Sequence, residues 1–142
     1  MLNLIMNDNK LAYLAGLFDG EGAIYMSGRK IGASVVMSFT NTNLALCELF
    51  RERWGGNISN QLPKNSNKAK QVNRWYRMGR NAKPCLEELC QFLIAKKPLA
   101  LLALQYLDAQ IGSGNVGSAE KHIKKLKLSQ SIYKGQQRQR LL

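Results

Sequence analysis

Histidine is almost missing from this 142-residue chain, where His122 stands alone. Acid–base chemistry that depends on an imidazole has that one candidate, and it sits in a lysine-rich amphipathic run that reads as a solvated face. Cysteine is scarce and odd in number. Cys47, Cys85 and Cys90 fall in apolar helical patterns without metal-knuckle spacing, so they read as reduced, buried thiols of an intracellular protein. No run of 18 apolar residues occurs and no signal-peptide pattern opens the chain. Acidic residues are few as well, 9 Asp and Glu against 21 Lys and Arg, which gives a net charge of +12 at pH 7. The cations run from Lys10 to Arg140 instead of gathering in one tail. That favours a polyanionic partner, nucleic acid first, while charge alone leaves DNA, RNA and anionic membrane open.

What is present suffices for one domain over 1–142, since a chain of this length with 45% hydrophobic residues can bury a core without staples. Met1 to Asn9 reads as a lead-in, with Asn7, Asp8 and Asn9 able to cap a helix. The core spans 10–111. Its first helix, Lys10 to Phe18, is apolar on nearly every side, which predicts burial all round. Ala12, Gly16 and Gly20 recur every four residues and make a ridge that another helix backbone can approach closely. In an exposed helix Gly16 would cost about 1 kcal/mol relative to alanine, so packing is the expected reason for it. Gly20 and Gly22 bracket Glu21 in the manner of a glycine cap.

The periodicity then changes. Ala23 to Ser27 and Ile31 to Phe39 alternate about a turn and predict a hairpin with Val35, Met37 and Phe39 on its oily side. Thr42 or Asn41 caps a helix with the stripe Leu44, Cys47, Phe50 and Trp54, stopped by Gly55-Gly56. Asn57 to Leu62 and Val72 to Met78 form a second hairpin around a polar, basic loop, which suits ligand contact. Pro84 opens a helix carrying Leu86, Leu89, Cys90, Leu93 and Ile94, and Pro98 suits the first turn of a helix through Ile111. Beyond the Gly-rich stretch after it, 118–133 reads as a basic amphipathic helix, and 134–142 as a frayed tail. The order predicts an α+β fold with a four-stranded antiparallel sheet backed by helices. A membrane partner fits poorly, because the only basic amphipathic helix follows a complete core.

Leu14-Ala15-Gly16-Leu17-Phe18-Asp19-Gly20-Glu21-Gly22 resembles the signature of the LAGLIDADG homing endonucleases, in the variant ending Asp-Gly-Glu-Gly. Two more segments follow in the family's order. Asn41 to Leu44 leading to Trp54-Gly55-Gly56-Asn57-Ile58 resembles its next helix and the strand after it, and Phe92-Leu93-Ile94-Ala95-Lys96-Lys97-Pro98 resembles the apolar turn and lysine before a later helix. The match covers Leu11 to Leu107 and leaves out the tail from Gly112. The resemblance implies an αββαββα core. Because the nonapeptide occurs once, it also implies a homodimer packed along Ala12, Tyr13, Gly16, Leu17 and Gly20. The implied activity is metal-dependent cutting of both strands of a long, pseudo-palindromic DNA site. The implied hosts are a bacterial or phage-infected cytoplasm or an organelle interior, with a mobile intron-like element encoding the chain.

Phosphodiester hydrolysis needs an activated water and neutralised phosphate charge, which divalent metals on carboxylates supply. Glu21 is the expected ligand, with Gly20 beside it and magnesium or manganese as the ion. Asp19, two residues earlier, should point another way, and the resemblance implies that it holds the helix end and turn, with direct catalysis as the alternative. Lys96 matches a lysine near the scissile phosphate in relatives, with Lys97 as the alternative and a solvated helix end as the plainer reading of either. Asn41 matches a position that orients catalytic water in relatives, and an N-cap explains it equally well. The outward sheet face would read the major groove through Tyr25, Ser27, Arg29, Lys30, Ser34, Ser38, Ser59, Gln61, Asn73, Arg74 and Arg77. Parity in the last strand stays open: Arg74 and Tyr76 face outward if Trp75 is buried, Asn73 and Arg77 in the opposite register. Lys64, Lys68, Lys70, Lys124, Lys125 and Lys127 suit phosphates. The alternative on the same fold is an RNA-splicing maturase that binds intron RNA, or a DNA binder that does not cut.

Overall fold

The computed structural model describes residues 2–27, 34–62 and 71–112, with Lys121, Lys124, Lys127 and Leu128 beyond them. Helix α1 (Leu2–Glu21) leads into strands β1 (Gly22–Ser27) and β2 (Ser34–Asn41). Helix α2 (Leu44–Trp54) follows, then β3 (Asn57–Gln61), β4 (Val72–Met78), a short 3-10 turn at Gly79–Ala82, and helices α3 (Lys83–Cys90) and α4 (Lys97–Gly112). The four strands form one antiparallel sheet in the order β1-β2-β4-β3. This is the expected α+β architecture. No helix among the described residues is long and apolar enough to cross a membrane.

α1 starts well before the expected point, so Asn7, Asp8 and Asn9 lie inside a helix and do not cap it. Its buried side is Leu11, Leu14, Ala15 and Phe18. Tyr13, Gly16 and Gly20 are exposed and Ala12 and Leu17 half-buried, so within one chain the helix is covered on one side only. A Cβ added at Gly16 or Gly20 would meet nothing within 4 Å. Gly22 does not cap the helix with a left-handed residue either, since positive φ occurs only at Gly55, Gly56 and Gly79 among the described residues. Its reason is steric: a Cβ there would lie 2.6 Å from Cγ of the wholly buried Phe18 ring. Only glycine lets β1 leave the helix so close to that ring.

The core lies between the helices and the inner face of the sheet. Phe39 and Phe50 stack at 4.5 Å between centroids, Phe50 meets Trp75 at 5.0 Å, and Phe18 closes the group at 6.4 Å from Phe50. Each such pair adds about 0.5–1.5 kcal/mol beyond its area burial. Trp75 places its indole N–H on the carbonyl of Gly55 at 2.8 Å, so a buried polar group is satisfied by the bend that ends α2. That bend carries φ of 71° at Gly55 and 102° at Gly56, conformations that favour glycine. Cys47, Cys85 and Cys90 are free and buried, as expected. α3 stops at Cys90, leaving Ile94 in the following turn, 85% exposed instead of on an apolar helix face.

Candidate active site

α1 brings two carboxylates to its last turn and sends them in different directions. Residues two apart on an α-helix are separated by about 200° around the axis. Asp19 turns toward the segment before α4. Its Oδ2 accepts the Ile94 N–H at 2.7 Å and its Oδ1 the Lys96 N–H at 3.0 Å, while Lys96 Nζ donates to the Asp19 carbonyl at 2.7 Å. One acid thus fastens the 94–96 turn to the helix, which is the structural role expected of it. Lys96 is 4% exposed, so it is no solvated helix-end lysine, and the exposed Lys97 begins α4 instead. A cation on the last carbonyls of a helix complements the negative end of its dipole.

Glu21 is exposed and points to the other side, toward the end of β2. Asn41 Nδ2 donates to Glu21 Oε2 at 2.5 Å, and Asn41 Oδ1 accepts the Asn43 N–H at 2.7 Å. The cap of α2 is therefore neither Asn41 nor Thr42. Asn43 caps it, accepting the Ala45 N–H at 3.0 Å. With that task taken, the Asn41 amide is free to serve the carboxylate. Gly20, next to Glu21, has one of the carbonyls that a helix end leaves without an intrahelical partner.

The sheet's outer face is fixed by its registers. Tyr25 pairs with Val36, Ser27 with Ser34, and Ser38 with both Ala23 and Tyr76. Arg74 pairs with Thr40 and Ser59, and Gln61 with Val72. Trp75 is wholly buried, so alternation turns Arg74 and Tyr76 outward and Asn73 and Arg77 inward. Asn73 and Arg77 therefore do not belong to the outer surface. Asn73 is 6% exposed, and Arg77 runs under Gly56, where an added Cβ would meet its Cδ at 2.6 Å. Arg74 lies over the rings of Tyr25 and Tyr76, 5.8 and 5.2 Å from the centroids, and hydrogen bonds the Tyr25 hydroxyl. Ser38 faces outward but is 5% exposed, because Arg74 crosses above it from β4 to β1. Ser27 Oγ donates to the Ser34 carbonyl at 3.2 Å and so helps close the hairpin. Arg29, Lys30, Lys64, Lys68, Lys70, His122, Lys125 and the tail over 134–142 lie outside the described residues.

No protein-family model matches this chain, and no curated protein matches it. Solved structures do. The homing endonuclease I-CvuI, in complex with its target in the presence of calcium, superposes with a TM-score of 0.69 at 18% identity, over 87% of this chain and 83% of that one. The archaeal intron-encoded homing endonuclease I-Vdi141I, complexed with DNA, gives 0.68 at 18% identity over 85% and 84%. The LAGLIDADG homing endonuclease I-SmaMI bound to cleaved DNA gives 0.58 at 19% identity, over 82% of this chain but 41% of that one.

This chain has the LAGLIDADG homing endonuclease fold.

Within the LAGLIDADG fold the nonapeptide is the end of α1 and the first residue of β1, and its single copy agrees with the near-full coverage of I-CvuI and I-Vdi141I. The oxygen donors at the end of that helix fit a hard divalent ion. Magnesium and manganese are held through one or two carboxylates together with water and phosphate oxygens, which a Glu21 carboxylate beside the Gly20 carbonyl can begin to supply. No group of three or more His, Cys, Asp or Glu is gathered among the described residues. Two residues that sequence reading missed belong to this region. Asn43 carried the signal, an asparagine directly before an apolar helical pattern, but two polar neighbours competed for the same role. Tyr76 appeared only as one branch of an undecided parity.

Proposed function

We propose that the protein is a homodimeric, magnesium- or manganese-dependent endonuclease that cuts both strands of a long, pseudo-palindromic DNA site, encoded by a mobile element such as an intron. The observation that carries this is the end of α1: an exposed Glu21 oriented by Asn41, at the tip of a ridge whose Gly16 and Gly20 are exposed among the described residues. Two copies packed along Ala12, Tyr13, Gly16, Leu17 and Gly20 would bring their two Glu21 carboxylates together at the axis. One carboxylate per chain is then enough, because each copy completes the other's site. An ion held there would supply Lewis acidity toward the phosphate and would lower the pKa of its water. Glu21 and the Gly20 carbonyl hold that ion, Asn41 holds Glu21, and Lys96 keeps a positive charge beside the helix end, where it offsets charge developing on the phosphate.

The outer sheet face would bind the major groove. Tyr25, Arg74, Ser59 and Gln61 stand on it, with Ser27 and Ser34 at one end. An arginine fixed between two tyrosines has little rotamer freedom left to lose and suits the O6 and N7 of guanine. Arg29 and Lys30 would join these residues in reading the groove, and Lys64, Lys68 and Lys70, together with Lys124, Lys125 and Lys127, would add phosphate contacts and salt dependence. The likeness to I-CvuI and I-Vdi141I, both seen with DNA, supports duplex DNA as the partner.

The test is selection of a cleaved site from a randomised duplex library with magnesium. A defined double-strand cut is expected, and its absence from an intact dimer refutes the proposal. Glu21→Gln should bind the selected site in calcium as the wild type does, and cut it at least about a hundredfold more slowly. Tight binding of intron RNA without duplex DNA binding would replace this reading with a splicing role.

A further inference from the structure

Asn73 is a polar side chain, 6% exposed, on the inner side of the sheet, two residues before the indole that fills the core. A buried amide is costly unless its hydrogen bonds are made, and this one makes them in an unusual place. Its Nδ2 donates to two consecutive carbonyls, those of Asn41 at 3.3 Å and Thr42 at 3.2 Å. Asn41 is the last residue of β2, and Thr42 makes the short link to the Asn43 cap of α2. Asn41 also carries the side-chain amide that meets Glu21. Its Oδ1 is engaged by the Asn43 N–H, a group that can only donate, so its Nδ2 must face outward to Glu21 Oε2. The amide orientation is thus set by backbone, and Asn73 hydrogen-bonds that backbone.

We infer that Asn73 is a positioning residue for Glu21: by gripping the carbonyls of Asn41 and Thr42 it fixes the link from which Asn41 holds the carboxylate. The role rests on the endonuclease reading above. It also reassigns Asn73 from the DNA surface to the support of the metal-holding acid, on the opposite face of β4 from Arg74. Groups that orient a metal-holding carboxylate are commonly worth about 10–100-fold in activity or metal affinity. Because Asn73 faces away from the outer sheet surface, that loss falls on turnover and metal dependence, with DNA affinity unchanged.

The test compares wild type, Asn73→Leu and Asn73→Ser on the site that the wild type selects. Asn73→Leu keeps the volume and removes both donors, while Asn73→Ser keeps one. Expected for Asn73→Leu is a kcat lower by about 10–100-fold and a higher magnesium requirement, with DNA affinity in calcium unchanged. Asn73→Ser should recover part of the rate. A second readout uses the metal-free protein without DNA. In the wild type one proton of the Asn41 side-chain amide is expected to be deshielded and slow to exchange by NMR, and Asn73→Leu should merge it with solvent-exposed amides. All rates are taken where thermal melting shows the variant folded, and if Asn73→Leu does not fold, Asn73→Ser carries the comparison. Lower DNA affinity with unchanged kcat would make Asn73 a DNA contact and overturn the inference. So would an unaltered Asn41 amide signal. If the wild type itself cuts nothing, the endonuclease reading fails, and the NMR readout still decides whether Asn73 sets the Asn41 amide.

Discussion

Gly16 offers a perturbation whose effects on folding and on assembly have opposite signs. It lies in the interior of α1, exposed, and a Cβ placed on it meets nothing within 4 Å. Within one chain, Gly16→Ala has no steric cost and gains the helix propensity that glycine forfeits, about 1 kcal/mol. Across a dimer seam the same methyl enters a space that close backbone approach has closed. Gly16→Leu sharpens the contrast, since a larger side chain still finds open space in the single chain. At a packed seam it would cost roughly 1–3 kcal/mol per copy, or about 2–6 kcal/mol per dimer, which weakens association about thirtyfold or more. The assay is sedimentation over a concentration series, paired with urea unfolding at protomer concentrations below the dissociation constant, because dimer stability depends on concentration. Expected is a monomeric Gly16→Leu protein that still folds, and a Gly16→Ala monomer at least as stable as the wild type. A Gly16→Leu protein that dimerises as tightly as the wild type would refute the reasoning, because the seam would then lie elsewhere.

Gly22→Ala should destabilise the fold by roughly 1–3 kcal/mol in urea, since its methyl meets the buried Phe18 ring. Phe18→Leu, which vacates that space, should make the same substitution cheaper by at least ~0.5 kcal/mol in a double-mutant cycle, and strict additivity would reject the contact. The buried thiols give a pH dependence. Burial pushes the Cys85 thiol up to about 12 from an ordinary 9.0, and raises Cys47 and Cys90 too. A thiol whose folded pKa is raised contributes its full stability below the unfolded value and loses it as pH rises through the folded one. Stability should therefore fall from about pH 9 toward 12, by up to ~1.4 kcal/mol per pH unit from Cys85. Cys85→Ala should flatten that slope relative to the wild type, and an unchanged slope would remove Cys85 as its source.

The order of helices and strands, the oily side of the first hairpin, the glycine stop after Trp54 and the differing directions of Asp19 and Glu21 were legible in the chain. They depend on spacing within a few residues, and local periodicity encodes such spacing directly. What stayed illegible depended on choices between neighbours. Asn41, Thr42 and Asn43 are all able to cap a helix, and only the folded link shows that Asn43 does so, releasing Asn41 for Glu21. The outward face of β4 differs from its inward face by a shift of one residue, which composition does not resolve when Arg74, Trp75, Tyr76 and Arg77 stand in a row. Burial of Trp75 against Phe50 and Gly55 decided it, and with it the fates of Asn73 and Arg77. The sequence alone determined that a carboxylate would end a glycine-lined helix. The tertiary structure determined which side chains hold that carboxylate, because the residues concerned lie 20 and 32 positions apart in pairs that only strand pairing brings together.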